Sequence, residues 1–457
     1  MSVPASIFRA YDIRGVVDET LTEQAVELIG RAFAAEAQAR GIHRTVVGRD
    51  GRLSGPRLVA ALARGLAAGG LDVVDVGMVP TPVVYYATHA LETGTGIAVT
   101  GSHNPPEYNG LKMVLGGETL SGEAVQNLYR RIQRGEFSSG TGHISESEIL
   151  PSYRRRILDD VTLARRLRIA VDCGNGVAGA IAPELLEALG CDVVALFAEV
   201  DGTFPNHHPN PSVPENLADL IDAVVSQGLD VGLAFDGDGD RLGVVDGNGR
   251  AVWADRQMIL FAQDILARQQ GTIIYDVKCS RHLGDAIEAA GGNALMWKTG
   301  HSLIKAKMQE TGALLAGEMS GHLFFKERWY GFDDGIYAAA RLLEILAGRS
   351  EAPTEVFAGL PDSINTPELN VHFDEEGANF AFMDRFKAVA QFDGAVVSTL
   401  DGLRADFADG WGLVRPSNTT PSLVIRFEAD SEEAMSRIKD LFREQMAKVD
   451  PDLSLPF

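Results

Sequence analysis

Two short stretches hold side chains that could do chemistry together, and the first surrounds a serine. The run Thr100-Gly101-Ser102-His103-Asn104-Pro105-Pro106 follows the apolar residues 96–99, which are typical of a buried strand. The two prolines remove backbone donors and fix φ, so the run must leave the strand as a stiff loop. Ser102 and His103 would then stand at a strand end, where open α/β sheets place ligand sites. A serine needs activation to act as a nucleophile, and an ordinary polar turn is the alternative for this run taken alone.

The second stretch predicts a metal site. Asp236-Gly237-Asp238-Gly239-Asp240-Arg241 follows the apolar residues 233–235 and sets three carboxylates at alternate positions. Close carboxylates repel one another unless a cation holds them, and hard oxygen ligands suit Mg²⁺ or Ca²⁺. An EF-hand loop is excluded, because Arg241 occupies the sixth position, which needs glycine, and Gly247 the twelfth, which needs glutamate. We therefore predict that Asp236, Asp238 and Asp240 bind a divalent cation.

Two later stretches suit a sugar phosphate. Gly317-Glu318-Met319-Ser320-Gly321-His322 offers a carboxylate and a hydroxyl between glycines, which suits adjacent sugar hydroxyls. Arg415-Pro416-Ser417-Asn418-Thr419-Thr420-Pro421 offers a cation, hydroxyls, an amide and backbone N–H groups, which suit a phosphate. Lys278 and His301 follow predicted strands and would add positive charge to the same site.

The four stretches together resemble the α-D-phosphohexomutase family, and most closely its phosphomannomutase/phosphoglucomutase branch. They occur in the family's order and span nearly the whole chain. The resemblance implies reversible phosphoryl transfer between O1 and O6 of a hexose phosphate, through a phosphoserine at Ser102 and a hexose 1,6-bisphosphate. It also implies Mg²⁺ held by the three aspartates together with an oxygen on Ser102.

The resemblance assigns further roles residue by residue. Arg241 and Lys112 would stabilise the transferred group, and Arg14, Lys112 and His301 are the candidates for moving the sugar hydroxyl proton. His103 is a further catalytic candidate because it adjoins Ser102, although adjacent residues need not face each other. The substrate-binding residues would be Tyr11, Arg14, Lys278, His301, Glu318, Ser320, His322, Arg415, Ser417, Asn418 and Thr419.

The elements that position these motifs recur along the chain. A strand–helix–strand unit begins near residues 45, 168 and 272, a spacing of about a hundred residues that indicates repeated domains rather than a solenoid. Residues 135–148 read as a surface loop, and the region after residue 365 reads as a small α+β domain. We expect an α/β protein with three topologically similar α/β domains, a C-terminal α+β domain and an active site in a central cleft. The predicted boundaries are 1–148, 149–249, 250–364 and 365–457.

Composition narrows the classes of partner. The 457 residues include 41 Lys and Arg and 63 Asp and Glu, a net charge of −22, which argues against nonspecific nucleic-acid or anionic-membrane binding. No signal peptide or apolar span is visible, and the three cysteines lack metal-type spacing. We expect a cytoplasmic monomer that binds small hexose phosphates, with neither nucleic acid nor membrane as a partner.

Three alternative functions remain to be tested. Gly174-Asn175-Gly176-Val177-Ala178-Gly179, with Glu199 twenty residues further on, matches the dinucleotide fingerprint of an NAD-type oxidoreductase. That function would leave the other four motifs unexplained, and Asp172 would repel a pyrophosphate. A phosphoglucosamine mutase is the nearer alternative, although its serine loop usually has Ala where Gly101 stands. A nonenzymatic sugar-phosphate binder would have little use for three aspartates and a placed serine.

Overall fold

Four β-sheets organise the chain in a computed structural model that describes residues 3–375, 377–418 and 420–457. We call the parts built around these sheets the first to fourth domains, in chain order. The first domain begins with a 3₁₀ turn, Ala5–Ile7. Its elements are β1 (Ile13–Val16), α1 (Glu23–Ala39), β2 (Arg44–Arg49), α2 (Gly55–Ala68), β3 (Asp72–Met78), α3 (Thr81–Ala90), β4 (Gly96–Val99), β5 (Tyr108–Leu115), β6 (Glu118–Thr119), α4 (Glu123–Arg134) and β7 (Ile144–Glu146).

The second and third domains are smaller versions of the first. The second consists of α5 (Leu150–Leu158), β8 (Arg168–Asp172), a 3₁₀ turn (Val177–Ala180), α6 (Ala182–Ala188), β9 (Asp192–Leu196), a 3₁₀ turn (Pro214–Leu217), α7 (Ala218–Gln227), β10 (Val231–Phe235), β11 (Leu242–Asp246) and β12 (Ala251–Val252). The third consists of α8 (Ala254–Leu266), β13 (Thr272–Asp276), α9 (Arg281–Ala289), β14 (Asn293–Trp297), α10 (His301–Thr311), β15 (Leu315–Gly317), β16 (Leu323–Phe325), α11 (Gly335–Gly348) and α12 (Pro353–Ala358).

The fourth domain is an antiparallel sheet with two helices. It contains β17 (Ile364–Asn365), β18 (Leu369–His372), α13 (Ala378–Val389), β19 (Val396–Ser398), β20 (Leu403–Phe407), β21 (Gly410–Pro416), β22 (Ser422–Ala429) and α14 (Glu432–Ala447). Its main strand order is β17-β22-β21-β20-β19, with β18 also paired to β22. The predicted boundary between residues 364 and 365 falls inside β17, and the four predicted domain ranges stay predictions.

The first three domains share one strand arrangement. Their sheets contain the orders β5-β4-β2-β3, β11-β10-β8-β9 and β16-β15-β13-β14. In each order, the last three strands run parallel to one another. The strand at the start of each order, which comes last in the chain, pairs antiparallel with its neighbour. The predicted fold class is therefore confirmed. One local prediction is wrong: the segment 135–148 is not all loop, because β7 adds to the sheet edge beside β3.

The cores divide the molecule differently from the sheets. One continuous apolar cluster contains residues of all three α/β domains, among them Val84, Phe235 and Leu343. The fourth domain has a cluster of its own around residues such as Phe386 and Phe442. A small cluster of Val277, Trp411 and Leu413 joins the third domain to the fourth. Among the described residues, no helix combines the length and apolarity needed to cross a membrane.

Candidate active site

The three predicted motifs of the α/β domains lie in equivalent connections. The serine loop (residues 100–107) joins β4 to β5, the metal loop (236–241) joins β10 to β11, and the sugar loop (318–322) joins β15 to β16. Each loop connects the last parallel strand of its sheet to the antiparallel strand that follows in the chain. The three domains therefore bring the same edge of their sheets to one centre, which is the predicted central cleft.

The serine loop is held by a buried ion pair that the sequence did not reveal. Asp50, directly after β2, accepts hydrogen bonds from Thr100 Oγ1 at 2.8 Å and from the Gly101 N–H at 3.2 Å. Its Oδ2 also accepts from Arg52 Nε at 3.2 Å. Thr100 Oγ1 in turn accepts from the Ser102 N–H at 2.8 Å. These bonds hold Ser102 at a φ of +51°, a conformation that costs a non-glycine residue about 1–3 kcal/mol.

Arg52 binds the carbonyl groups of the same loop. Its terminal nitrogens donate to the Ser102 carbonyl at 2.8 Å, to that of Asn104 at 2.6 Å, to that of Pro105 at 2.5 Å and to that of Tyr108 at 2.9 Å. The guanidinium leaves no room for a side chain at Gly101, where a Cβ would lie 2.4 Å from Arg52 Cζ. Arg52 therefore acts as an internal template for the serine loop, and glycine at position 101 is required by packing.

Ser102 faces both the metal loop and its neighbour in the chain. Its hydroxyl donates to Asp236 Oδ2 at 3.2 Å and lies 3.1 Å from His103 Nδ1. Burial lowers the pKa of His103 well below its usual value, and the charges of Arg241 and Arg14 lower it further. The lowered pKa keeps the ring neutral near pH 7 and makes it a weak base. The structure therefore brings His103 against Ser102, a contact that adjacency alone did not establish.

The three aspartates converge in the interior. Asp236, Asp238 and Asp240 are fully buried and offer carboxylate oxygens within 4.8 Å of one another. Asp236 Oδ1 accepts the backbone N–H groups of Asp240 and Arg241, at 3.1 and 3.2 Å, and this curls the loop. Among the described residues, Asp238 Oδ1 and Asp240 Oδ1 have no hydrogen-bond partner. Buried oxygens without partners beside the Ser102 hydroxyl fit an oxygen-ligated divalent cation such as Mg²⁺.

Lys112 offsets part of this negative charge. From β5, its Nζ donates to Asp238 Oδ2 at 2.8 Å and also to Asp240 Oδ2. Burial acts to raise the pKa of Asp238, but the charge and hydrogen bond of Lys112 outweigh it and lower the pKa overall. Burial and the neighbouring carboxylates raise the pKa values of Asp236 and Asp240. One lysine is therefore too little for three carboxylates, which is the condition that favours binding of a cation.

The sugar loop is joined to the metal loop. Arg241 Nε donates to His322 Nε2 at 3.0 Å, and the two residues form an antiparallel bridge. Glu318 is buried, and its carboxylate accepts from the Gly300 N–H at 2.6 Å and from Ser320 Oγ at 3.3 Å. Burial raises the pKa of Glu318. The predicted sugar residues Glu318, Ser320 and His322 thus lie next to the predicted phosphoryl-stabilising Arg241.

Tyr11 and His301 connect the cleft to the fourth domain. The Tyr11 hydroxyl donates to the Thr299 carbonyl at 2.9 Å and accepts from Asn418 Nδ2. The Tyr11 and His301 rings have centroids 6.3 Å apart, and those of His301 and His322 are 5.7 Å apart. Burial and the nearby Lys305 charge lower the pKa of His301 well below its usual value. The ring is neutral at pH 7 and does not supply the positive charge expected of it.

Two predicted substrate-binding cations, Arg415 and Lys278, are paired with acids. Arg415 Nε donates to Asp401 Oδ2 at 3.0 Å, and Lys278 Nζ donates to Glu368 Oε1 at 2.5 Å. Ser417 Oγ accepts from the Thr420 N–H at 3.2 Å, which turns the phosphate loop (residues 415–421) back on itself. Thr419, predicted as a fourth member of this loop's phosphate-binding set, lies outside the described residues.

Arg14 completes the set of predicted residues. It lies on β1 opposite Gly110 of β5, so that it shares a sheet face with Lys112. Its guanidinium donates to Asn104 Oδ1 of the serine loop and to Asp12 Oδ2 at 2.5 Å. Every predicted site residue that the structure describes therefore lies around one cleft, while their individual roles stay predictions.

Sequence reasoning missed the acids at the ends of the first strands. Asp50 follows β2, and Asp172 and Asp276 end β8 and β13, at equivalent points of the three domains. Asp276 Oδ1 accepts the backbone N–H of Lys278 at 3.2 Å, and its Oδ2 accepts from Thr299 Oγ1 at 3.0 Å. The recurrence of an aspartate at each first-strand end was visible in the sequence and could have indicated their common role in fixing loops.

The glycine-rich turn of the second domain has no room for a dinucleotide. A Cβ at Gly174 would lie 3.0 Å from Pro209, and one at Gly176 would lie 2.9 Å from the Gly237 carbonyl. Asp172 accepts from the Gly174 N–H at 2.8 Å and pairs with His207 at 2.9 Å. The turn packs against the metal loop, which explains its glycines without a cofactor.

The sequence matches four family descriptions in chain order. They are the phosphoglucomutase/phosphomannomutase alpha/beta/alpha domain I over residues 5–139, domain II over 151–249, domain III over 253–363 and the C-terminal domain over 368–445. The chain belongs to the phosphoglucomutase/phosphomannomutase family, whose members are phosphotransferase mutases, a class of isomerase. The family resemblance inferred from the four motifs is confirmed.

Individual relatives match over the whole chain. A phosphomannomutase/phosphoglucomutase of Pseudomonas aeruginosa is 56% identical over 457 residues, covering 100% of this chain and 98% of its own. A phosphoglucomutase of Neisseria gonorrhoeae is 53% identical over 446 residues, covering 97% of each. The crystal structure of a phosphoglucomutase/phosphomannomutase family protein from Burkholderia thailandensis superposes with a TM-score of 0.95 at 52% identity and full coverage of both chains.

Proposed function

We propose that this chain catalyses reversible phosphoryl transfer between O1 and O6 of mannose and glucose phosphates, through phosphorylated Ser102 and a hexose 1,6-bisphosphate. The observation that carries the proposal is the Ser102 hydroxyl, 3.2 Å from Asp236 in a buried cluster of three aspartates. Phosphoryl transfer needs a placed nucleophile, a metal site and cations around the moving group, and the cleft provides all three.

Asp236, Asp238 and Asp240 would hold Mg²⁺ together with an oxygen on Ser102. The ion would offset the charge on the phosphoserine and on the transferred group. Lys112, which contacts Asp238 and Asp240, and Arg241, which contacts Asp236, would stabilise the equatorial oxygens of that group. Removal of Mg²⁺ would leave the carboxylates with too little positive charge, so we expect activity to be lost in a chelator and restored by adding the ion.

The reaction would proceed in two balanced transfers. In the first, the P–O bond to Ser102 Oγ breaks as a sugar hydroxyl oxygen bonds to phosphorus, and the hydroxyl proton passes to a base in the cleft. The candidates for that base are Arg14, Lys112 and His301; the lowered pKa of His301 keeps its ring unprotonated near pH 7 but makes it a weak base. In the second, Ser102 Oγ bonds to the other phosphorus of the reoriented bisphosphate as the P–O bond to the sugar breaks. The proton held by the base passes to the released sugar oxygen, and the isomeric monophosphate leaves.

The remaining residues would position the sugar and its other phosphate. Glu318, Ser320 and His322 would contact the sugar hydroxyls, and Tyr11 and Lys278 would line the rim of the cleft. Arg415, Ser417, Asn418 and Thr419 would bind the phosphate that is not reacting. Because both ends of the intermediate carry phosphate, one clamp could accept either orientation. We further propose a cytoplasmic location and a monomeric state.

A ³¹P NMR time course tests the function. The purified protein would receive Mg²⁺, a trace of glucose 1,6-bisphosphate, and either glucose 1-phosphate or mannose 1-phosphate. We expect both to become 6-phosphates in the wild type and in Ser226→Ala, whose serine is exposed on α7. Ser102→Ala should lose essentially all turnover, because it has no oxygen to carry the phosphoryl group.

Two other results would change the proposal. Turnover of glucosamine 6-phosphate with neither hexose phosphate converted would favour the phosphoglucosamine mutase alternative. Normal turnover by Ser102→Ala in the presence of bisphosphate would refute the phosphoserine scheme. Asp238→Asn offers an independent test of the metal site, since unchanged Mg²⁺ binding and rate in this variant would refute it.

A further inference from the structure

Four polar side chains form a continuous chain of contacts from the third domain to the metal loop. Lys305 of α10 donates Nζ to Asp333 Oδ1 at 2.9 Å. The other oxygen of this carboxylate, Oδ2, lies 3.1 Å from His322 Nδ1. His322 Nε2 accepts from Arg241 Nε at 3.0 Å. Lys305, Asp333 and His322 are all buried, so water does not compete effectively for these contacts.

The contacts select one form of the His322 ring. Because Nε2 accepts a hydrogen bond from Arg241, that nitrogen carries no proton, and the ring proton lies on Nδ1, which is 3.1 Å from Asp333 Oδ2 and 3.5 Å from Asp240 Oδ1. A carboxylate offers only acceptors to this N–H. If the proton were on Nε2, two donors would face each other between His322 and Arg241. Lys305 engages the other Asp333 oxygen and thereby keeps the carboxylate turned toward His322.

The chain of contacts ends beside the proposed nucleophile. Arg241 Nε lies 3.7 Å from Asp236 Oδ2, the oxygen that accepts from Ser102. The backbones of the two loops are also tied, since the Leu242 N–H donates to the Gly321 carbonyl at 3.1 Å. The direction of the Arg241 guanidinium therefore depends on a histidine from another domain.

We propose that Lys305 and Asp333 are positioning residues that hold His322 in its Nδ1–H form, so that its Nε2 fixes the Arg241 guanidinium toward the transferred phosphoryl group. The consequence for turnover rests on the proposed function, in which Arg241 stabilises that group. The proposed orientation of the His322 ring does not depend on that function. Lys305 and Asp333 act through His322 and Arg241, and they need not touch the substrate.

Nitrogen NMR tests the orientation without any turnover. In histidine-¹⁵N-labelled wild-type protein at pH 8 without substrate, we expect the His322 signals to show a protonated Nδ1 and an unprotonated Nε2. His322→Gln identifies these signals by their disappearance. In Asp333→Asn we expect the population of the Nδ1–H form to fall. A proton on Nε2 in the wild type, or an unchanged ring in a folded Asp333→Asn protein, would overturn the proposal.

Kinetics of the same variants test the consequence. In Asp333→Asn the side-chain amide would have one acceptor oxygen for two donors, Lys305 and His322 Nδ1–H, so we expect kcat to fall about 10–100-fold with KM changed less than about twofold. In the double variant Asp333→Asn/Lys305→Met the remaining oxygen can face His322, and we expect kcat to recover at least about tenfold over Asp333→Asn. Recovery in the double variant also guards against a single variant that merely folds poorly.

The matched control is Lys307→Met on the same helix. Lys307 Nζ donates to Glu310 Oε1 at 2.5 Å and lies 4.3 Å from the centre of the Trp297 ring, away from Asp333. We expect its kcat to equal that of the wild type. An Asp333→Asn protein with full kcat would refute the positioning role. Absence of mutase activity in the wild type would refute the proposed function, while the nitrogen signals would still decide how His322 is held.

Discussion

The serine loop and the phosphate loop would each handle a phosphoryl group, but they are anchored in different ways. The serine loop belongs to the first domain, and its flanking strands β4 and β5 contribute both to a core of that domain and to the core shared with the second and third domains. Arg52 binds three carbonyl groups of the loop and that of Tyr108 at the start of β5, and Asp50 accepts from the Thr100 hydroxyl and the Gly101 N–H. The phosphate loop belongs to a domain with its own core, which is joined to the third domain by a small apolar cluster and by hydrogen bonds from the buried Arg404 and Arg426 to third-domain carbonyl groups.

The cross-domain contacts of the two loops differ in the same way. The Ser102 carbonyl packs so closely on the metal loop that a Cβ at Gly237 would lie 2.4 Å from it. The phosphate loop reaches the first domain through the side chains of Asn418 and Tyr11. Side-chain contacts break at low cost, whereas interlocked backbones do not move without disturbing the core. We infer that the serine loop is preorganised for the reaction. The phosphate loop can adjust to two orientations of one bisphosphate intermediate.

The largest expected effect comes from removing Arg52, the arginine that holds the serine loop in place. Arg52→Met should reduce kcat by at least about 100-fold, because displacement of Ser102 by even about 1 Å breaks its alignment. It should also lower the free energy of unfolding by about 3–5 kcal/mol, since Asp50 would be left buried without its cation. Steady-state kinetics and urea unfolding measure both.

Arg57→Met serves as the control for Arg52→Met. Arg57 is a partly exposed arginine of the neighbouring helix α2, and its partner Asp18 is on the surface. We expect changes below about 1 kcal/mol in unfolding and no change in kcat. Wild-type kcat in Arg52→Met would mean that the serine loop keeps its geometry without the template, and the contrast between the two loops would disappear.

A smaller effect is expected at the adjustable loop. Arg415→Lys keeps the charge but loses the planar, two-pronged donor set, so we expect KM for glucose 1-phosphate to rise about 10–100-fold. The kcat should stay within about threefold, because the clamp would bind ground and transition states alike. Arg437→Lys, an exposed pair on the same domain, should leave both constants unchanged. A fall in kcat with unchanged KM would place Arg415 in the chemical step instead.

The junction between the third and fourth domains should respond to loss of one apolar side chain without disturbing the serine loop. Leu413→Ala removes a fully buried side chain from the cluster with Val277 and Trp411, at a cost of about 2–4 kcal/mol. We expect hydrogen exchange to accelerate in the fourth domain, while residues of the serine loop keep their protection. In Leu233→Ala, within the shared core, exchange should accelerate in the α/β domains as well. Equal responses to the two substitutions would indicate one cooperative unit.

The smallest effect concerns the pH dependence of stability. The hydrogen bond with Asp172 raises the pKa of His207, outweighing the opposing effect of burial. Because folding raises this pKa, the protonated histidine stabilises the folded protein. The stabilisation is complete below the pKa of the unfolded chain, about 6.5, and is lost as the pH rises through the pKa of the folded state. The melting temperature of the wild type should exceed that of His207→Gln by on the order of 1 °C more at pH 5.5 than at pH 8.5. A constant difference would show that the pair carries no charge.

Much of the site could be predicted because its motifs are local. The Ser102 run and the three aspartates each combine a strand end with residues whose chemistry is unusual at that spacing. The fold class followed from the recurrence of strand–helix–strand units. The spacing of apolar residues distinguishes a strand from a helix within a short stretch of chain. The sequence did not predict roles for Asp50, Arg52, Lys305 and Asp333, because their partners are distant in the chain. Asp50 and Arg52 bind loop residues 51 and 50 positions away, and Lys305 and Asp333 are 28 positions apart.

The neutral state of His301 shows the same limit. The sequence suggested an additional positive charge at this strand end, whereas the structure buries the ring beside Lys305 and thereby lowers its pKa. Burial and neighbouring charge depend on every domain that surrounds a residue, and neither can be read from its immediate neighbours in the chain.

The amino-acid sequence by itself determined which loops carry chemistry, which family the chain resembles and how many domains of which type it contains. These features depend on residue type and short spacing, which the chain states directly. Only the tertiary structure decided that the three loops occupy equivalent strand reversals, that His103 contacts Ser102, and that Arg241 is held by His322. Such contacts arise when domains pack together, and the distance between two side chains in the fold is not encoded by their distance along the chain.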